Sequence, residues 1–180
     1  MRNLRIGGGY AYPGDPMNFK TPDLLDENET LSASGHLCVV APIFQRYGGR
    51  PVFSGQVVTL KLFEDNSLVR AALAEDGKGK VLVIDGGGSL RCALLGDQLA
   101  LLAQKNGWGG IIVYGCIRDS SDINQINIGV RALNTHPLKS VKQGAGDRHL
   151  AVTFGSVTFT PGEWIYADED GVIVADRPLL

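Results

Sequence analysis

The stretch LGDQLALLAQKNGWGGIIVYGCIRDSSD, residues 95–122, is the most informative part of the chain. From Asp97 onward its leucines recur at a helical period, and Lys105 and Gly107 form a typical helix end. After a short loop, the run Ile111–Tyr114 of β-forming apolar residues predicts a strand buried on both faces. A helix joined this closely to a buried strand is half of a βαβ-type unit. Together with the short strands that dominate the end of the chain, it favours an α/β fold with a mixed sheet.

The two ends of this stretch carry the polar side chains of one predicted site. Asp97 suits the N-cap or first turn of the helix, because unpaired N–H groups and the helix dipole favour an anion there. Arg118 and Asp119 would point to opposite faces of a regular strand, so they can serve one site only if the chain has left the strand. Gly115 and the polar residues after Asp119 predict that it has. The site would then lie at the carboxyl end of a strand, where α/β proteins usually bind ligands.

Two carboxylates and an arginine beside a helix start suit a hard divalent cation together with a carboxylate substrate. Magnesium prefers oxygen ligands and commonly keeps several waters while using one or two protein carboxylates. Free N–H groups at a helix start form a ready anion site; here they belong to Gly96, Asp97, Gln98 and Leu99. Arg118 can clamp a carboxylate through two parallel hydrogen bonds. The spacing alone leaves a structural alternative open, with Asp97 as a helix cap and Arg118–Asp119 as a surface ion pair.

The spacing of these residues resembles the signature of a known family. Twenty residues, 98–117, separate Asp97 from Arg118, and Asp119 follows directly. This pattern is similar to that of the metal-dependent 4-hydroxy-4-methyl-2-oxoglutarate aldolases, which share their family with the regulators of ribonuclease E activity A (RraA). The resemblance extends from about Thr21 to the C-terminus. It includes the segments VFSGQVVTLKLFEDNSLVR, GKGKVLVIDGGGSLRCALLGD, GWGGIIVYGCIRD and GEWIYADEDGVIVA.

The resemblance implies a role for each predicted site residue. The carboxylate of a pyruvate-like group is held by the amides of Gly96, Asp97, Gln98 and Leu99. Arg118 contacts the keto or carboxylate oxygen of that group. Asp119 holds a divalent metal, Mg²⁺ or Mn²⁺, and Asp97 supports the metal through bound water. The base that takes the substrate hydroxyl proton is not identified by the family pattern, and a water bridged to Asp97 is the interpretation adopted here.

The activity implied by the resemblance is retro-aldol cleavage of 4-hydroxy-4-methyl-2-oxoglutarate to pyruvate. The same enolate forms when oxaloacetate loses its β-carboxyl group, so oxaloacetate decarboxylation is an implied side activity. The implied fold is a three-layer β/β/α sandwich of the swivelling-domain type. The implied assembly is a homotrimer or a dimer of trimers, with a further acidic residue from a neighbouring subunit. The alternative is a non-catalytic regulator that binds and inhibits ribonuclease E, but such regulators lack the acid that this chain keeps at Asp119.

Composition narrows the class of protein. A length of 180 residues fits one domain, and 44% hydrophobic with 20% charged residues is typical of a soluble globular protein. The net charge of −2 gives no reason to expect nucleic-acid binding. No apolar run is long enough to span a membrane, and no signal-peptide pattern opens the chain. The cysteines have no CxxC spacing and are expected to be reduced, as in a cytoplasmic protein; they are Cys38, Cys92 and Cys116.

The chain divides into an extension and a domain. Residues 1–20 have Gly and Pro punctuation and no periodicity, and we interpret them as an N-terminal extension that is disordered or not native. A native arm that packs on a neighbour is the alternative. Residues 21–180 are expected to form a single RraA-like domain.

Periodicity predicts further elements within that domain. Gln56–Phe63 alternates as a strand, and Asn66–Ala74 has the pattern of a helix. Val81–Ile84 is a second buried strand, whereas residues 38–44 are interpreted as an apolar connection. The tail is predicted to form four short strands, at 152–154, 157–159, 164–167 and 172–175.

Three consecutive glycines, Gly86–Gly88, follow Asp85 and allow three interpretations. A phosphate cradle is disfavoured, because GxxxxGK[ST] is absent and GxGxxG is not matched. The methyl-donor loop of a methyltransferase fits superficially, but such a loop should open into a helix, and residues 89–94 have the pattern of a short strand. The third interpretation is a tight backbone turn that leaves room beside the site.

Overall fold

The computed structural model describes residues 18–180, so most of the predicted extension lies outside the described residues. Within this range five helices and twelve strands follow one another. The helices are α1 (Thr21–Glu27), α2 (Glu29–Ala33), α3 (Ser67–Leu73), α4 (Asp97–Lys105) and α5 (Ser120–Ile123). The strands are β1 (Leu37–Val39), β2 (Gln45–Tyr47), β3 (Phe53–Lys61), β4 (Lys80–Asp85), β5 (Ala93–Leu95), β6 (Gly110–Ile117), β7 (Gly129–Thr135), β8 (Asp147–Arg148), β9 (Val152–Phe154), β10 (Val157–Phe159), β11 (Trp164–Ala167) and β12 (Val172–Ala175). No helix in the described range is long and apolar enough to cross a membrane.

The molecule has three layers, as the family resemblance implies. The central layer is a ten-stranded mixed sheet with the order β1-β12-β11-β3-β4-β6-β7-β2, in which β5 lies beside β6 and β8 beside β3. The inner strands β3, β4, β6 and β7 run parallel. Helices α3 and α4 pack on one face of this sheet, and the two-stranded sheet of β9 and β10 packs on the other. The fold is therefore a β/β/α sandwich.

Strand β4 shows why a strand that is covered on both faces is apolar along most of its length. Its alternate residues Val81 and Val83 pack in the core shared with β9 and β10. Leu82 and Ile84 point the other way and pack in the core shared with the helices. Because both faces are covered, neither set can be polar.

Strand β6 has two successive partners on the same side. β4 pairs with residues 110–114 of β6, and β5 pairs with Cys116 and Ile117. Between them the chain leaves the sheet at Asp85, turns, and returns as β5. This exchange carries the start of α4, which directly follows β5, to the carboxyl end of β6.

The turn between β4 and β5 contains the three glycines. The N–H groups of Gly86 and Gly88 both donate to the Tyr114 carbonyl at 3.1 Å. The Gly87 N–H donates to Asp85 Oδ1 at 2.9 Å, and φ is +66° at Gly87 and +71° at Gly88. Such values favour glycine. The glycines thus form the predicted tight turn, but they do not line the site pocket described below.

Several local predictions differ from the structure. Residues 38–44 are not a plain connection, because β1 and β2 lie at either end of them and form the two edges of the sheet. Of the predicted strand at 89–94, only Ala93 and Leu94 lie in a strand, which is β5 and continues to Leu95. Gly115 lies within β6 and does not end it. These elements are short or irregular, so their hydrophobic periodicity is weak, whereas the four tail strands have the predicted bounds.

A buried aromatic ring occupies the space left by two paired glycines. Gly110 of β6 lies opposite Gly129 of β7. A Cβ at Gly110 would lie 2.3 Å from a ring carbon of Phe53, and a Cβ at Gly129 would lie 2.1 Å from one. Phe53 is fully buried, and the Arg131 guanidinium lies 5.0 Å from its ring centroid. The ring therefore has little room to move.

The substitution Gly129→Ala is expected to lower the free energy of unfolding by about 1–3 kcal/mol, because overpacking forces the buried ring to shift. Urea denaturation measures this change. The matched control is Gly171→Ala, since a Cβ there meets nothing within 4 Å. That control should change stability by less than about 0.5 kcal/mol. Equal stability of the two variants would contradict the packing argument.

Candidate active site

A pocket of about 180 Å³ opens at the carboxyl ends of β5 and β6. Every residue that the sequence analysis assigned to the site lines it. These residues are Gly96, Asp97, Gln98, Leu99, Arg118 and Asp119. The two ends of the 95–122 stretch therefore meet at one place in the fold.

The start of α4 presents backbone N–H groups to this pocket. Gly96 is the N-cap, with φ −129° and ψ −176°, and Asp97 is the first helical residue. The first helical bond runs from the Ala100 N–H to the Gly96 carbonyl at 3.1 Å. The N–H groups of Asp97, Gln98 and Leu99 therefore precede the helical hydrogen-bond ladder. Together with the helix dipole they favour a bound anion.

Asp97 does not act as the helix cap. Among the described residues its side chain makes no capping hydrogen bond. Its Oδ2 accepts a bond from the side-chain Nε2 of Gln98 at 2.9 Å. The carboxylate lies at the pocket instead. This arrangement disfavours the structural alternative for Asp97.

Arg118 and Asp119 reach the same pocket because the backbone turns directly after β6. The Arg118 N–H donates to the Leu95 carbonyl at 2.9 Å, which ties it to the end of β5. Asp119 has φ +53° and ψ +37°, a left-handed conformation, and as the N-cap of α5 it accepts the Ile123 N–H at its carbonyl. Aspartate tolerates this conformation better than most residues other than glycine. The prediction that the chain has left the strand at these two residues is confirmed.

The close approach of the two ends requires glycine at position 96. A Cβ there would lie 2.8 Å from Asp119 Oδ2 and 3.5 Å from Arg118 Nε. The backbone angles of Gly96 are ordinary extended values, so glycine is needed for space and not for conformation. Any side chain would displace the Asp119 carboxylate.

The contact between Arg118 and Asp119 is weak as an ion pair. Arg118 Nε lies 3.4 Å from Asp119 Oδ2, and the two side chains are 41% and 36% exposed. Exposed pairs of this kind contribute about 0–1 kcal/mol. Stability alone therefore gives little reason for the pair, and both groups can still bind a ligand.

Besides Ala93 and Leu95, five polar residues that the sequence analysis did not assign to the site also line the pocket. They are Asn66, Arg70, Lys139, Ser140 and Lys142. Asn66 and Arg70 are four residues apart, so the helical pattern could have grouped them on one face. Lys139 and Lys142 follow β7 in a segment without periodicity, so no local pattern indicated that they line the pocket. Four basic and two acidic side chains therefore surround the pocket, which favours an anionic substrate.

The acidic groups of the pocket fit a water-rich metal site. Within the described residues, no group of three or more His, Cys, Asp or Glu side chains is arranged to hold a metal. A closed four-ligand site of the structural zinc type therefore does not fit. Asp119, with Asp97 at the same pocket, matches the one or two carboxylates that Mg²⁺ commonly uses.

Known proteins of similar sequence and fold carry three different names. A relative from Dechloromonas aromatica is 71% identical over 91% of this chain and 99% of its own, and bears the provisional name 4-hydroxy-4-methyl-2-oxoglutarate aldolase. A structure from Geobacillus kaustophilus, described as an S-adenosylmethionine:2-dimethylmenaquinone methyltransferase, has a TM-score of 0.84 and 48% identity over 89% of this chain and 97% of its own. A structure from Thermus, described as the RNA-processing inhibitor RraA, has a TM-score of 0.84 and 41% identity over 90% of this chain and 95% of its own.

The family model described as aldolase/RraA matches residues 21–174. That range includes all twelve strands of the described fold except the last residue of β12. It also includes every residue that lines the pocket. The chain belongs to the RraA-like family.

Proposed function

We propose that this protein is a divalent-metal-dependent aldolase that cleaves 4-hydroxy-4-methyl-2-oxoglutarate to pyruvate and decarboxylates oxaloacetate as a side activity. One observation carries the proposal: the free N–H groups of a helix start, an arginine and two carboxylates line a single pocket. The relative that is 71% identical and is named as an aldolase supports the same interpretation.

The pyruvate end of the substrate is bound by the start of α4. Its carboxylate accepts hydrogen bonds from the N–H groups of positions 96–99, where the helix dipole is positive. Arg118 donates to the keto or carboxylate oxygen and orients the 2-oxo group. The cations Arg70, Lys139 and Lys142 on the other walls favour a substrate with a second carboxylate.

Asp119 is the residue that we assign to the metal, with Asp97 as its support. A bound Mg²⁺ or Mn²⁺ supplies Lewis acidity that stabilises negative charge on the keto oxygen. In the aldol cleavage the electrons of the carbon–carbon bond pass to the pyruvate unit as its enolate, and the hydroxyl proton leaves toward Asp97 through a water. In decarboxylation the electrons of the bond to the β-carboxyl carbon pass to the same unit as CO₂ departs, and in both reactions the enolate then takes up a proton to give pyruvate. Both reactions therefore use the α4 amides, Arg118 and Asp119, and the aldol cleavage also uses the proton path through Asp97.

We also propose that the protein assembles as a homotrimer or a dimer of trimers, in which a neighbouring copy adds an acidic residue to the pocket. The exposed apolar side chains Phe63, Leu138 and Val141, on the surface next to the pocket, support such an assembly. Light scattering of the purified protein measures the assembly.

The free cysteines fit a reducing compartment, which supports a cytoplasmic location.

A regulator of ribonuclease E is the second candidate function. The 41% identical relative described as an RNA-processing inhibitor favours it. The acid at Asp119, with its carboxylate at the pocket, favours the enzyme. The two functions need not exclude each other, since they can use different surfaces.

Methyl transfer, the activity in the description of the Geobacillus relative, is disfavoured for this chain. The glycine loop after β4 would have to hold the methyl donor. Its N–H groups are bonded to Tyr114 and Asp85, and it continues into β5 instead of a helix. The loop therefore lacks the free amides that a cofactor needs.

The substitution Asp119→Asn is expected to lower the rate of pyruvate release by at least about 100-fold, because it removes the carboxylate assigned to the metal. Asparagine tolerates the left-handed conformation, so the variant should fold. Pyruvate is measured from both substrates with Mg²⁺ and with a chelator. The matched control is Asp122→Asn, an exposed carboxylate outside the pocket that should keep full activity.

Two results would contradict the aldolase. One is pyruvate release by the folded protein no faster than with free metal. The other is full activity in Asp119→Asn or in chelator. Binding of ribonuclease E that survives Asp119→Asn would then make regulation the main function.

The substitution Gly96→Ala is expected to lower activity by about tenfold or more while the fold is kept, because the new Cβ displaces the Asp119 carboxylate and not the backbone. Steady-state kinetics and a thermal melt measure the two effects. Gly171→Ala serves again as the control with open space. Unchanged kinetics in Gly96→Ala would contradict the argument that space at position 96 sets the site.

A further inference from the structure

A buried carboxylate outside the pocket connects two of its walls. Asp65 is 3% exposed and lies just before α3. Its Oδ1 accepts the N–H and the hydroxyl of Ser67 at 2.8 and 2.5 Å. Its Oδ2 accepts the N–H groups of Gln143 and Ala145 at 2.8 and 3.0 Å. One side chain therefore joins the start of α3 to the loop after β7.

This loop, residues 138–146, forms one wall of the pocket. Its pocket-lining residues are Lys139, Ser140 and Lys142. The first half of the loop is bound to β5, because the Ala93 N–H donates to the Leu138 carbonyl at 2.7 Å and the Ser140 N–H donates to the Ala93 carbonyl at 3.3 Å. The Asn66 N–H also donates to Ser140 Oγ at 3.2 Å.

The second half of the loop depends on polar bonds. Residues 141–147 are all exposed, so burial of apolar surface does not fix them. Gln143 and Ala145 are bonded to Asp65, and the Gly144 N–H donates to Ser67 Oγ, which is itself bonded to Asp65. Lys142 thus lies between Ser140, which is bonded to β5, and residues 143–145, which are bonded to Asp65 directly or through Ser67.

Asp65 keeps its negative charge over the whole working range of pH. Burial raises the pKa of this carboxyl, but the hydrogen bonds from Ser67, Ala145 and Gln143 outweigh burial and hold the pKa well below its usual range. Because the folded-state pKa is depressed, this stabilisation is present above the unfolded pKa and is lost only in strong acid. The anchor is therefore constant near neutral pH.

We propose that Asp65 is a positioning residue that holds the 138–146 loop, and through it Lys139 and Lys142, in the arrangement that binds the second carboxylate of the substrate. Asp65 does not line the pocket, so it acts only through the loop. The inference rests on the proposed function of the pocket. It adds a residue to which that function assigned no role.

Asp168 offers a matched control. It is also 3% exposed and also accepts four hydrogen bonds, from the N–H and hydroxyl of Thr21 and from the N–H groups of Asp170 and Gly171. It lies outside the pocket and does not contact the 138–146 loop in these bonds. The substitution Asp168→Asn therefore removes an equally buried charge without touching the loop.

The substitution Asp65→Asn is expected to raise KM for oxaloacetate by about tenfold and to change kcat by less than about threefold, because weakened ground-state binding acts mainly on KM. Asp168→Asn should leave KM unchanged even if it lowers the free energy of unfolding as much as Asp65→Asn does. In a Lys142→Met background the effect of Asp65→Asn on KM should shrink to less than about twofold, since the two changes act through one wall. Equal KM values in Asp65→Asn and Asp168→Asn, or full additivity with Lys142→Met, would overturn the proposal.

Two further measurements keep the test decisive. If Asp65→Asn does not fold, Ser67→Ala removes the hydroxyl that links Asp65 to Gly144 and should raise KM in the same direction; an unchanged KM in Ser67→Ala would overturn the proposal. Hydrogen exchange of the peptide 139–147 should quicken in Asp65→Asn and not in Asp168→Asn, whether or not the protein is a lyase. An inactive parent protein would contradict the proposed function, whereas unchanged exchange would contradict the anchor.

Discussion

One backbone hydrogen bond, from the Arg118 N–H to the Leu95 carbonyl, joins the two halves of the site. It forms because β5 takes the place of β4 beside the last residues of β6. Gly96 and Asp119 then lie next to the bonded pair, one without a side chain and the other turned by a left-handed backbone. The register of the sheet therefore sets the distance between the free amides at the start of α4 and the Asp119 carboxylate.

One half of the pocket is fixed by the central sheet, and the other half is fixed by polar hydrogen bonds. The amides of α4 and the Arg118–Asp119 pair follow directly from buried strands of the central sheet. The wall formed by residues 138–146 is exposed over most of its length and is fixed by hydrogen bonds to Asp65 and β5. Such a division fits the proposed chemistry, because the pyruvate end is common to both substrates whereas the second carboxylate is attached differently in each.

The sequence predicts the half of the site that local patterns encode. The apolar run of β6, the helical period of α4 and the twenty residues between Asp97 and Arg118 are enough to bring Asp97, Arg118 and Asp119 together. The same patterns give the tail strands their bounds. Edge strands of three residues, β1 and β2, carry too little periodicity to be recognised. Lys139 and Lys142 reach the pocket only through tertiary bonds to β5 and Asp65, which no local pattern encodes.

The energetics of Asp119 bear on the choice between enzyme and regulator. A left-handed conformation at a residue other than glycine costs about 1–2 kcal/mol, somewhat less for aspartate. The ion pair between Asp119 and Arg118 stabilises the fold by only about 0–1 kcal/mol, because both side chains are more than a third exposed. Glycine at this position would relieve the backbone and keep the bond from the Ile123 N–H to the carbonyl of residue 119. The carboxylate therefore does little for the fold, which favours a role in ligand binding, such as the metal site proposed above.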